Sequence, residues 1–169
     1  MMSSHKREFD EVVRQHQAMI ARICASYESD RELARELMQE VLFAIWRALP
    51  ARRGDSSLKT FAARIAQFRA ISHVAKHSRL PVEEALDDSL LDERTSPIAA
   101  AVAADERDRL LAAVRRLPLT YREPAVLLLE DLAPAEIAVV LGLTPEVVTV
   151  RLSRARSLLR NLLGTTNER

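Results

Sequence analysis

The chain has 169 residues, 48% hydrophobic but only 4% aromatic, with three glycines and abundant Ala, Leu, Arg and Glu; this mixture favours helices over strands, and the length suits two small helical units with modest cores. The formal net charge of +1 averages unlike parts, since residues 1–81 carry 14 Lys or Arg against 9 Asp or Glu, residues 82–98 carry 1 against 6, and the remainder 10 against 9. One cysteine, Cys24, excludes an internal disulfide; the start holds no apolar run that would serve as a signal peptide and no later stretch is long enough to span a membrane, so a cytoplasmic, all-α protein is expected.

Phe9, Val12, Val13, His16, Met19, Ile20, Ile23, Cys24 and Tyr27 recur at three- and four-residue spacing and define a first helix with one apolar stripe. Cys24 is expected as a buried thiol and His16 as an interior or boundary residue. Ser29 or Asp30 can cap a second helix, whose stripe runs Leu33, Leu37, Val41, Ile45 until Pro50 stops it, and the two helices should pair antiparallel. Arg35, Glu36, Gln39 and Glu40 lie off that stripe as a polar ridge. Spacing alone reads such a ridge as a solvated face.

After a polar turn cluster at 52–57, Phe61, Ile65, Phe68, Ile71 and Val74 predict a third long helix with basic residues on its far side. From Arg52 to Arg79 the chain carries Arg52, Arg53, Lys59, Arg64, Arg69, Lys76 and Arg79, opposed only by Asp55, which favours a polyanion. Pro81 stops this helix, and residues 81–98 read as a flexible acidic linker. The expected domains are therefore 5–80 and 99–163. Glu83, Glu84, Asp87, Asp88, Asp92 and Glu93 lack the spacing and central glycine of a calcium loop.

Beyond the linker a helix is predicted from Ile98 to Arg116, capped by Ser96, with Val102, Leu110, Leu111 and Val114 inward and Pro118 ending it. Three closely spaced segments follow, Tyr121 to Leu129, Pro134 to Leu141 and Pro145 to Leu163. Residues 135–152 read as a helix-turn-helix. Ile137 and Leu141 face inward, Ala138 permits a close crossing, Gly142 takes the left-handed backbone, Thr144 caps the second helix, and Val148 and Leu152 pin it. Glu146, Val147, Thr149, Val150, Arg151 and Arg154 remain outside, with Arg156 nearby; arginine can bond guanine or phosphate, and Thr or Val can touch a thymine methyl. The run from Arg151 to Arg160 holds four arginines and no acid, which phosphates explain better than a merely solvated face.

Leu117-Pro118-x-x-x-Arg122, Glu136-Ile137-Ala138-x-x-Leu141-Gly142 and Val148-x-x-Arg151-Leu152-x-Arg154-Ala155-Arg156 together resemble region 4 of extracytoplasmic-function sigma factors. Glu36-Leu37-Met38-Gln39-Glu40-Val41, followed by Ile45-Trp46, resembles sigma region 2, and the stretch from Ser57 to Ala66 resembles the start of the helix that melts and reads the minus-10 element. The resemblance implies an initiation factor with a region 2 helical bundle and a region 4 helix-turn-helix domain. It implies that Thr149, Val150, Arg151, Arg154 and Arg156 contact the minus-35 element, and that Arg52, Arg53, Lys59, Arg64, Arg69, His73 and Lys76 hold the minus-10 strand. Arg35, Glu36, Gln39 and Glu40 would then dock on the clamp helices of the polymerase beta-prime subunit. Further implied partners are the beta flap and an anti-sigma factor. Phe61, Phe68 and Ser72 depart from the family's frequent Trp, Asn and Asp, and Thr149 and Val150 from its Lys and Ser; Phe61 and Phe68 are open to core or DNA-facing roles.

His73 and His77, four residues apart, have no third metal ligand nearby. No glycine-rich phosphate loop, nucleophile elbow or paired-cysteine motif occurs, so neither enzyme activity, metal nor cofactor is expected. Two rival classes remain. A dimeric helix-turn-helix regulator calls for an apolar dimer face where this chain has its charged ridge, and a protein-only adaptor leaves the basic tail of the last helix unexplained.

Overall fold

A computed structural model describes the chain over residues 2–77 and 100–164, with side chains from 4 to 77 and from 104 to 164. The acidic segment 81–98, Arg79, the Ser96 cap, the Ile98 start and the side chain of Val102 lie outside these residues. Among the described residues there are seven α-helices and no strand.

The N-terminal half is a bundle of α1 (Met2–Ala25), α2 (Arg31–Ala48) and α3 (Leu58–His77), with a short 3-10 turn over Leu49–Ala51. Asp30 caps α2 by accepting from the Glu32 and Leu33 amides at 2.9 and 3.1 Å. The Ser57 hydroxyl accepts the Thr60 amide at 3.1 Å and so starts α3 three residues before its first phenylalanine. Val12, Ile20, Ile23, Leu37, Val41 and Ile45 are all buried at the centre.

The face that α3 turns to this core differs from the expectation at Phe68 and in having alanines at its centre. Ala62, Ala63, Ala66 and Ala70 are fully buried, while Phe68 is 67% exposed. Alanines let the helix axes approach closely, so the small stripe is the packing stripe. Phe61, Ile65, Ile71 and Val74 are partly buried beside that stripe, while at 100° per residue Arg64 and Phe68 fall on the opposite, outer side.

The C-terminal half contains α4 (Ala100–Arg116), α5 (Leu119–Leu129), α6 (Pro134–Leu141) and α7 (Pro145–Gly164). The α5–α6 turn places Asp131 at φ +62°. The Asp131 amide bonds the Leu128 carbonyl at 3.0 Å and the Leu132 amide bonds that of Leu127 at 3.2 Å, a Schellman ending with aspartate where glycine is usual.

The halves are packed together. Helix α3 lies against α6, and residues 108 apart in sequence meet where Arg22 grips Glu130 through Nε at 2.8 Å and Nη2 at 2.7 Å. Arg115 donates to the Ala25 carbonyl at 2.8 Å, and buried Gln67 donates to the Glu123 carbonyl at 3.1 Å.

Candidate nucleic-acid interface

The helix-turn-helix is built as its residues dictate. Gly142 takes φ +65°, the Leu143 amide reaches back to the Ala138 carbonyl at 2.9 Å, and the Thr144 hydroxyl accepts the Val147 amide at 3.3 Å. Ile137, Val148 and Leu152 are buried at the crossing beside Ala138. With that side fixed inward, α7 presents Glu146, Val147, Thr149, Val150, Ser153, Arg154, Arg156 and Arg160 outward. Val150 is 58% exposed. The Thr149 hydroxyl already donates to the Pro145 carbonyl at 2.9 Å, which leaves its methyl as the group best placed to meet a base.

Arg151 stands apart from Arg154 and Arg156. It is half-buried on the flank of α7, in the field of Glu123 on α5. Burial raises the Glu123 carboxyl above its usual range and the Arg151 charge pulls it part of the way back. Arg151 therefore serves the domain as well as the outer surface.

A second surface runs along α3. Arg64, Phe68, Arg69 and Lys76 are exposed on its outer side, and Arg53 is exposed in the turn before it. Lys59 is half-buried, and after burial its charge is the next cause that lowers the pKa of half-buried His16. An exposed aromatic among cations is the combination that holds a single strand, by stacking its bases and neutralising its phosphates.

Two residues of the basic group expected at the minus-10 strand occupy other places. His73 is buried, with Nε2 2.7 Å from Glu28 Oε2, and its carbonyl accepts from His77 Nδ1 at 3.0 Å, so it pins α3 to the α1–α2 turn. Arg52 is half-buried, donates to the Ser56 carbonyl at 2.8 Å and lies over the Phe61 ring. Phe61 thereby becomes part of the local packing, and Phe68 alone of the two phenylalanines is widely exposed. Cys24 is buried and its thiol is pushed up to about 12 by burial.

The ridge on α2 is open, since Arg35, Glu36, Gln39 and Glu40 are all exposed. One turn further, Phe43 is 61% exposed beneath Arg47, and Trp46, 43% exposed, stacks edge-on against Phe9. Sequence reasoning missed Arg122, which is buried between the halves. Its Nε and Nη2 donate to the Leu117 carbonyl at 3.1 and 2.9 Å, Nη2 also reaches the Arg115 carbonyl, and its guanidinium lies over the Tyr27 ring. The Leu-Pro-x-x-x-Arg spacing was the available signal. It marks a clamp on the end of α4.

The fold and its surfaces define a two-part helical protein with a nucleic-acid-reading helix-turn-helix. Residues 12–80 match the family model for sigma-70 region 2, and residues 107–159 match that for sigma-70 region 4. The chain belongs to the sigma-70 family of transcription initiation factors, in its extracytoplasmic-function branch, and is not an enzyme. Similar proteins include the RNA polymerase sigma-H factor of Pseudomonas aeruginosa, 28% identical over 89% of this chain and 83% of the relative. The ECF RNA polymerase sigma factor SigM of Mycobacterium tuberculosis is 24% identical over 94% of this chain and 79% of the relative. Among solved structures, the sigma factor RpoE from Bartonella quintana, in complex with the anti-sigma factor NepR, superposes with a TM-score of 0.73 at 21% identity, covering 94% of this chain and 98% of that one. CnrH, in complex with the cytosolic domain of CnrY, superposes with a TM-score of 0.70 at 23% identity, covering 95% of this chain and 90% of that one.

Proposed function

We propose that residues 5–80 and 99–163 are two promoter-reading units: the first docks on polymerase and captures the minus-10 strand, the second reads the minus-35 duplex. The observation that carries this reading is the outer face of α7, where exposed Thr149, Val150, Arg154 and Arg156 stand on a helix with no acid after Glu146. Arg154 and Arg156 make no ion pair among the described residues, so their charge is available to phosphate or guanine. Arg151 joins them from the flank once released from Glu123.

Along α3 and the turn before it the minus-10 strand meets Arg53, Arg64, Arg69 and Lys76, with Lys59 at the margin and Phe68 as the stacking platform. Arg52 and His73 support that surface from within the fold. Arg35, Glu36, Gln39 and Glu40 dock on the beta-prime clamp helices, and the C-terminal unit meets the beta flap. An anti-sigma protein controls access to polymerase, and the chain works in the cytoplasm; no helix among the described residues is long and apolar enough to cross a membrane.

Run-off transcription with purified core polymerase and a promoter library tests the assignment. Promoter-specific initiation should depend on this chain. Glu40→Lys should weaken polymerase binding, and Arg154→Ala should reduce selection of the upstream element while leaving polymerase affinity intact. Equal polymerase affinity for wild type and Glu40→Lys rejects the dock, and an unchanged upstream preference in Arg154→Ala rejects the reading helix.

A further inference from the structure

We infer that α7 reads its duplex through the 5-methyl groups of thymine, which pack on Val147 and Val150, so that base choice at the upstream element is apolar rather than hydrogen-bonded and 5-methylcytosine can stand in for thymine. The inference deepens the proposed assignment of α7 to the minus-35 duplex and rests on it.

The order of side chains along α7 is the first reason. When the second helix of a helix-turn-helix enters a major groove, its N-terminal residues meet the base edges. In that part of α7 the exposed side chains are Glu146, Val147, Thr149 and Val150. The Thr149 hydroxyl is the one side-chain donor from Pro145 to Val150, and it is occupied by the Pro145 carbonyl at 2.9 Å. Every arginine of α7 comes later, as Arg151, Arg154, Arg156 and Arg160. Guanine presents two acceptors to the groove and calls for a donor, whereas thymine presents a methyl group and calls for a hydrocarbon surface. The base-facing end of α7 supplies the hydrocarbon and lacks the donor. Glu146 only accepts, so it fits the exocyclic amino group of a neighbouring adenine or cytosine and repels the acceptor edge of guanine.

The two valines form one patch. Three residues apart, they lie one above the other on the same helix face. They are 37% and 58% exposed, while Val148, between them in sequence, is fully buried. A β-branched side chain keeps essentially one rotamer on a helix, so the patch is ordered before DNA arrives.

The charges around the patch select nucleic acid as what covers it. At 3.6 residues per turn, Arg151 and Arg156 lie about 100° and 120° to either side of Val150, toward the walls of a groove, and Arg154 follows one turn on, ~6 Å farther along the axis. No acid follows Glu146 on α7. A protein partner with an apolar knob would meet the same valines but would leave these cations opposite nothing of their own sign-complement, whereas a duplex supplies phosphates on both walls and methyl groups between them. The arginines thus set the helix in its groove, and the valines are left to distinguish the bases. Burying one methyl group is worth about a fourfold preference, and two are worth on the order of tenfold.

The test uses the full chain bound to core polymerase, with synthetic promoters carrying the upstream element that the promoter library returns. Each thymine of that element is replaced in turn by deoxyuridine, which pairs identically and lacks only the methyl group. At one or more positions this should weaken binding about three- to fivefold, and at the same positions 5-methylcytosine should bind better than cytosine by about the same factor. Val147→Ala or Val150→Ala should bring the thymine-to-uracil ratio at its own position to within about 1.5-fold of unity, because the side chain and the methyl group form one coupled pair. Arg156→Ala should weaken thymine and uracil promoters alike and lower the salt dependence. Both valines are exposed, so neither change disturbs the core. A wild-type complex indifferent to the methyl group at every upstream thymine overturns the inference, as does a ratio that survives in both valine variants or a returned element with no thymine on either strand. In each of these cases a retained upstream preference leaves α7 as the reading helix, whereas a complex with no upstream preference rejects that assignment and the inference with it.

Discussion

Replacing Arg122 by leucine should be among the costliest single changes in the C-terminal half. The side chain, 9% exposed, satisfies the Leu117 carbonyl twice and the Arg115 carbonyl once at the end of α4, where the helix leaves its acceptors unpaired. A hydrogen bond from a charged donor contributes about 1.5–3 kcal/mol, and removing a buried guanidinium recovers several kcal/mol of desolvation, so the net loss should be roughly 2–4 kcal/mol. For a domain of this size that lowers Tm by roughly 10–20 °C. Trp46, the sole tryptophan, lies in the N-terminal half, so its fluorescence follows that half while far-ultraviolet dichroism follows both. In Arg122→Leu the dichroism should begin to fall well before Trp46 responds. Arg122→Lys should recover less than half of the loss, because an ammonium cannot bridge two carbonyls as a planar fork does. The account fails if Arg122→Leu melts within about 3 °C of wild type by both probes.

Burial raises Glu123 above its usual 4.5, with Arg151 opposing, so the folded chain binds this proton more readily than the unfolded one; the stability it contributes is fully present below about pH 4.5 and is lost as pH rises through the folded value. The stability of wild type minus that of Glu123→Gln, from urea melts, should therefore fall between pH 4 and 7, and a flat difference would show the carboxyl to be solvated. Cys24, pushed up to about 12, should react with a thiol reagent at pH 8 at least about a hundredfold more slowly in the native than in the denatured chain; equal rates would mean that the thiol is open. Asp131→Gly should add about 0.5–1 kcal/mol by relieving its φ of +62°. Gly142→Ala, whose new Cβ meets nothing within 4 Å, should cost about 1–2 kcal/mol from backbone alone. Denaturant midpoints moving the other way in either variant would refute the turn analysis.

The legible parts of the sequence are those fixed by strong local periodicity. Leu37, Val41 and Ile45 mark the buried side of α2, and Gly142 with Thr144 marks the turn into α7, because each feature needs only neighbours in the chain. On α3 the large apolar residues Phe61, Ile65, Ile71 and Val74 do pack against the core, but the centre of the packing stripe is alanine and Phe68 lies outside, because periodicity marks large side chains more readily than the small ones that let helices approach closely. His73 carries a charge-capable ring in a basic stretch, and its burial against Glu28 depends on how the α1–α2 turn folds back. The seam could not be read at all. Arg22 and Glu130 look like ordinary surface residues in sequence, and only the tertiary fold brings them together.

The seam between the halves combines polar grips with shared apolar packing. Carbonyls, guanidiniums and a carboxylate fix the register of the halves, while the apolar residues that both halves place in one buried cluster supply the adhesion. Under the proposed assignment each reading surface is modest alone: α7 offers a few arginines and a valine, and α3 offers one open phenylalanine among cations. Presented together on polymerase, the second contact forms at the high local concentration set by the first. Under the proposed assignment, two weak surfaces carried on one chain therefore favour joint reading over binding by either half alone.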